Sequence, residues 1–166
     1  GTWILGRGYD QKKLAEGRHP ARWDLAQATC QHPVALTRTC GHIVACNSLA
    51  LRLAGITAAT PEPVGGAIAR DAAGEPTGVL MESACAPLRA LLVPSLESLR
   101  DAYVAACADY VANGITSSHD ASGLSPAQVR TMIEAHRAGQ VSLRTYMMLR
   151  FGVPDSTRAL GVTAPL

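Results

Sequence analysis

Arg38 and His42 stand close together in this chain, as Arg38-Thr39-Cys40-Gly41-His42. An arginine fork can hold a carboxylate or polarise a carbonyl. An imidazole can donate to a carbonyl oxygen or to a leaving group. Asn47 follows and adds an amide that both donates and accepts. His119 and Asp120 are adjacent in a second stretch, Gly114-Ile115-Thr116-Ser117-Ser118-His119-Asp120. Glu82 closes a β-prone run and reads as a carboxylate at a helix start. His136 lies on a helical face and reads as structural. His19 and His32 are loop histidines next to proline, with no partner visible in the sequence.

The first group needs a rigid frame. Residues 34–37 form a β-prone run opened by Pro33, and Gly41 breaks it. Beyond the break, Ile43, Cys46 or Asn47, Ala50, Leu51 and Ala54 recur at helical spacing, which predicts a helix over residues 43–54. Gly55 sits where a helix end takes a left-handed residue. His42 is therefore expected at the mouth of a helix, beside the end of a strand. Before this stretch, residues 2–5 read as a strand and Gly6-Arg7-Gly8 as a turn. Asp10 can cap a short helix and residues 23–28 another. After it, residues 67–70 and 76–80 flank Asp71-Ala72-Ala73-Gly74 and predict a hairpin.

The second group sits in a different pattern. Ser95 caps a helix over residues 96–113, with Leu96, Leu99, Tyr103, Cys107 and Tyr110 or Val111 as its buried stripe. A strand follows over residues 115–119, ending at His119 and Asp120. Ser125-Pro126-Ala127-Gln128 then supplies a capping box and a first-turn proline for a helix to about residue 138. Residues 141–149 form the longest strand, with an apolar run that implies two covered faces. Helix, strand, helix, strand with short connections implies parallel strands. A loop follows Arg150, with one helical turn near residues 156–160.

Composition narrows the possibilities. Of 166 residues, 48% are hydrophobic and 17% charged, against about 25% charged in an ordinary globular domain. The deficit predicts that part of this surface is covered by more protein. A net charge of +2 with scattered basic residues argues against nucleic acid as a partner. No apolar run reaches the ~20 residues of a membrane span. Five cysteines without Cys-x-x-Cys fit reduced thiols in a cytoplasmic protein.

Four segments carry a resemblance. They are Gly6-Arg7-Gly8-Tyr9-Asp10; His32 to Thr57, with Arg, Gly-His and Asn-Ser followed by an Ala-Leu helix ending in Ala-Gly-Ile; Gly74-Glu75-Pro76-Thr77-Gly78-Val79-Leu80 with Glu82; and Gly114 to Asp120. In this order they resemble the YtcJ-like branch of the amidohydrolase superfamily, also called amidohydrolase family 3. The resemblance implies a metal-dependent hydrolase acting on carbon–nitrogen bonds, of amide or N-formyl type, on a (β/α)8 TIM-like barrel. It also implies a divalent metal, zinc by expectation, that activates water. The ligand set it implies is a His-x-His pair, a bridging carboxylated Lys or a Glu, two further His and an Asp. This sequence has no His-x-His, and its only lysines are Lys12 and Lys13.

The expectation is thus an α/β fold: a partial barrel with a small α+β insertion, an interior fragment of a longer protein. Residues 1–92 would hold a first-strand remnant and a substrate-covering insertion, and residues 93–166 the βα units of the incomplete barrel. Its partners would be a small-molecule substrate and the rest of its own barrel. The fragment alone is expected to be inactive and to hold no metal. His42, Arg38, Asn47, His119 and Asp120 are the expected substrate contacts, with His42 and one of the His119–Asp120 pair lining one cleft. Strand alternation lets one of that pair face inward, and His119 is favoured because Asp120 can then cap through Ser122. The alternative is a self-contained small α/β domain that binds a ligand or partner without catalysis.

Overall fold

The computed structural model describes residues 1–149; the loop and helical turn expected beyond Arg150 lie outside them. The chain is a mixed α/β protein in two compact units, Gly1–Val93 and Pro94–Leu166.

The first unit is built on a five-stranded sheet. Its strands are β1 (Ile4–Tyr9), β2 (Val34–Arg38), β3 (Ile43–Cys46), β4 (Gly66–Arg70) and β5 (Pro76–Glu82), in the order β1-β2-β3-β5-β4. β1 and β2 are parallel, and the other neighbours are antiparallel. Three short helices accompany it: α1 (Arg22–Ala28), α2 (Ser48–Leu53) and α3 (Ala86–Ala90). Val44, Cys46 and Leu80 from the sheet pack with Leu51 of α2 and Leu88 of α3 in one buried cluster.

Two expectations fail here. Residues 43–46 are strand β3, and the helix begins only at Ser48. The β-branched pair Ile43-Val44 pairs with Met81 and Leu80 of β5, and burial on a sheet overrides the helical spacing. His42 therefore lies in the β2–β3 turn, not at a helix mouth. Gly6-Arg7-Gly8 is likewise not a turn but the middle of β1, paired with β2 up to a bulge between Arg7 and Tyr9. The hairpin over Asp71 to Gly74 is present, with Asp71 Oδ1 accepting from the backbone N–H groups of Ala73 and Glu75 at 2.9 Å each.

The second unit pairs β6 (Ser117–Leu124) in parallel with β7 (Arg144–Leu149). α4 (Leu96–Ala112) and α5 (Pro126–Arg137) pack with them. Ser95 and Ser125 cap these helices as expected, and Gln128 closes the capping box at 2.9 Å. Tyr103 joins the two small cores. Its hydroxyl bonds His136 Nε2 and Thr145 Oγ1, each at 2.8 Å.

The stripe expected on α4 is narrower than predicted. Leu96, Tyr110 and Val111 are exposed, and Cys107 is the buried residue of the helix. Among the described residues, β7 is covered on one face only. Thr145 and Met147 meet the helices, while Tyr146 and Met148 are exposed. β6 does not end at Asp120. It runs on to Leu124 across an irregularity in register.

Candidate functional site

The register of the first sheet gathers polar side chains at one end. Tyr9 ends β1, Arg38 ends β2, His42 precedes β3 and Glu82 ends β5. Gly41, in the left-handed region at φ 78°, closes the β2–β3 turn that brings Cys40 and His42 back beside Arg38. Arg89 of α3 fastens this turn from below, its Nη2 donating to the Gly41 carbonyl.

His42 and Glu82 form the exposed pair of this group. The Nδ1–H of His42 donates to Glu82 Oε2 at 2.9 Å, and the backbone N–H of Glu82 donates to the His42 carbonyl at 2.8 Å. Both side chains are open to solvent, at 65% and 57%. An exposed pair of this kind contributes about 0–1 kcal/mol. Glu82 has φ 51° and ψ −120°, the one left-handed non-glycine among the described residues. Such a conformation costs on the order of 1–3 kcal/mol. The pair therefore does not explain itself by stability. Gly66 makes the turn after Glu82 possible: a Cβ there would collide with Ser83 and Ala84.

Arg38 is held rather than free. Its Nε donates to Gln11 Oε1 at 2.6 Å and its Nη2 to Asp10 Oδ1 at 3.4 Å. Asp10 Oδ1 also accepts from the Lys12 N–H. The guanidinium, followed by the His42 N–H, draws the exposed Cys40 thiol below its ordinary pKa. Behind it, Tyr9 Oη shares a 3.0 Å hydrogen bond with His19 Nδ1. Burial pushes the Tyr9 phenol up to about 12 and lowers His19, with Arg38 adding to the latter. Tyr9 and His19 were not among the expected contacts.

Asn47 is structural, which corrects its expected place as a substrate contact. It is 2% exposed. Its Oδ1 accepts from Ala50 N and Val34 N at 3.0 and 3.2 Å. Its Nδ2 donates to the carbonyls of His32 and Thr29 at 2.8 and 3.4 Å. Both ends of the amide are thereby used. It caps α2 and ties the loop before β2 to the helix.

In the second unit, His119 and Asp120 point to opposite faces of β6. His119 pairs with Tyr146 and Asp120 with Met147. Met147 packs with the helices, so His119 lies on the face they leave open. Its ring meets Tyr146 edge-on at 5.4 Å. Asp120 Oδ1 accepts from the Ser122 backbone N–H at 2.9 Å and from its hydroxyl. Among the described residues, no three His, Cys, Asp or Glu side chains come together to hold a metal.

Comparison with known proteins gives a consistent result. "Putative amidohydrolase YtcJ" of Bacillus subtilis is 37% identical over 118 residues, 70% of this chain and 22% of that protein. "N-substituted formamide deformylase" of Arthrobacter pascens is 42% identical over 84 residues, 51% of this chain and 16% of that protein. A crystal structure of an uncharacterized metal-dependent hydrolase from Pyrococcus horikoshii matches all of this chain with a TM-score of 0.68 at 22% identity, over 32% of its own length. The chain thus spans about a fifth of these curated relatives and a third of the solved structure. The amidohydrolase family model matches residues 1–162, and the chain belongs to that family.

Proposed function

We propose that this chain is the substrate-contacting part of a hydrolase that cleaves a carbon–nitrogen bond of amide or N-formyl type. The observation that carries the reading is the sheet end of the first unit, where the His42 ring is exposed yet anchored by Glu82, with its backbone N–H on Cys40. An exposed imidazole fixed at a strand end by one hydrogen bond suits the binding of a small polar group. Similarity to a protein named as an N-substituted formamide deformylase supports the N-formyl class.

The reading extends to the rest of the expected architecture. The open face of β6 and β7, with His119 and Tyr146 on it, is the kind of face that a closed (β/α)8 barrel buries. The first unit then corresponds to the substrate-covering insertion, and the rest of the barrel is the partner of the second. The family resemblance supports a divalent metal, zinc by expectation, in the whole hydrolase. No described helix is long and apolar enough to cross a membrane; a cytoplasmic setting is favoured by the five free thiols.

The test is titration of the 15N-labelled chain with N-methylformamide. Saturable shifts at His42 and its turn are expected, with no formate released and no stoichiometric zinc by elemental analysis. Shifts confined to other regions, or none, contradict the reading.

A further inference from the structure

We propose that Glu82 is a positioning residue that fixes His42 with its proton on Nδ1, so that Nε2 is the ligand-facing atom and accepts a hydrogen bond from the N–H of a secondary amide. An ionised carboxylate only accepts, so the 2.9 Å contact requires the proton on Nδ1. When the ring is neutral, Nε2 therefore carries the lone pair, and no described residue bonds that atom. This revises the donor role expected of His42 from the sequence. The partner of an Nε2 lone pair is a donor, and a secondary amide offers one beside its carbonyl.

Two features show that the arrangement is built. Glu82 grips His42 twice, by its carboxylate and by its backbone N–H at 2.8 Å. It also adopts a left-handed backbone that a glycine would take without cost, and non-glycine strain of this kind clusters at functional sites. The other groups around His42 are engaged elsewhere. The Cys40 thiol accepts from the His42 N–H, the Cys85 thiol faces the His42 carbonyl, and Arg89 holds Gly41. Arg38 is bonded to Gln11 and Asp10. Glu82 is the acceptor the ring itself finds.

The proposal rests on the carbon–nitrogen reading only for its ligand, and the experiment separates the two. Long-range 1H–15N spectra of the full chain are recorded under mildly alkaline conditions, with backbone amide spectra as the folding control. The wild type is expected to show His42 protonated on Nδ1. Glu82→Ala and Glu82→Gly are expected to shift it toward Nε2, and Glu82→Gln, whose amide oxygen still accepts, to keep it. A ring protonated on Nε2 in the wild type, or unchanged in Glu82→Ala, overturns the positioning role. N-methylformamide is then expected to move the Nε2 signal, about tenfold more weakly in Glu82→Ala, whereas N,N-dimethylformamide, lacking an N–H, leaves it unmoved. Equal shifts with both formamides overturn the acceptor role. A correct tautomer with no response to N-methylformamide overturns the ligand class alone.

Discussion

The two units solve the same problem of polar side chains near a sheet in opposite ways. In the first, the strand ends carry charged and polar groups that bond one another: Arg38 with Asp10, His42 with Glu82, Tyr9 with His19. The core beneath them is one continuous cluster. In the second, the sheet has two strands among the described residues, and the helices serve one face. The other face presents His119, Tyr146 and Met148 to solvent. A strand pair is marginal without packing on a helix, so α4 and α5 carry that unit. A site held by its own hydrogen bonds can be read from its geometry alone, whereas an open face acquires its meaning from what covers it.

The largest effect is expected in the core of the first unit. Leu80 is 0% exposed and lies in the middle of β5. Leu80→Ala should cost about 3 kcal/mol through lost burial and the cavity left behind. Trp3 and Trp23 both belong to this unit, so urea unfolding followed by tryptophan fluorescence reads it directly. An unmoved midpoint would break the contrast between a continuous core and a thin one. Asn47→Ala comes next. It removes a cap and leaves buried backbone groups without partners, at about 2 kcal/mol in the same assay.

Much of the second unit was legible in advance. Ser95 and Ser125 announced the helix starts, and the capping box at Gln128 is formed as read. These are local signals, decided within a few residues. The first unit hid more. Ile43 to Cys46 is a short apolar run, and such runs do not distinguish strand from helix by spacing; its partner strand β5 lies far along the chain. The tie between His42 and Glu82 was hidden for the same reason, since it depends on the pairing of Ile43 with Met81. Glu82 was visible as a carboxylate, but nothing in the sequence marks its left-handed backbone. The choice between His119 and Asp120 was open because neither alternating set of β6 is apolar. What the structure adds is that Met147 and Thr145 on the neighbouring strand meet the helices, which leaves His119 on the open face of β6.

Smaller effects sharpen the comparison. Tyr103→Phe removes the hydroxyl that links His136 to Thr145 and should cost the second unit about 1 kcal/mol. Faster amide exchange in α4 and β7 would report it, and unchanged exchange would mean that packing alone holds the pair. The smallest effect is electrostatic. Bonds from Arg18 and from the Ala21 N–H hold the Asp24 carboxyl at about 2. A depressed carboxyl stabilises the fold above its unfolded pKa, and that contribution fades as pH falls from about 4 toward 2. The pair is partly exposed, so screening keeps the effect slight. Thermal melts of wild type and Asp24→Asn should differ near neutrality and converge at low pH. A difference that persists below pH 2 would place its origin outside this titration.

The most direct measurement is a crystal structure of the chain grown with N-methylformamide. The ligand N–H is predicted to lie within hydrogen-bond distance of His42 Nε2, with Nδ1 still on Glu82. A ligand bound on the open face of β6 and β7 with His42 untouched, or a His42 ring turned away from Glu82, would contradict the account.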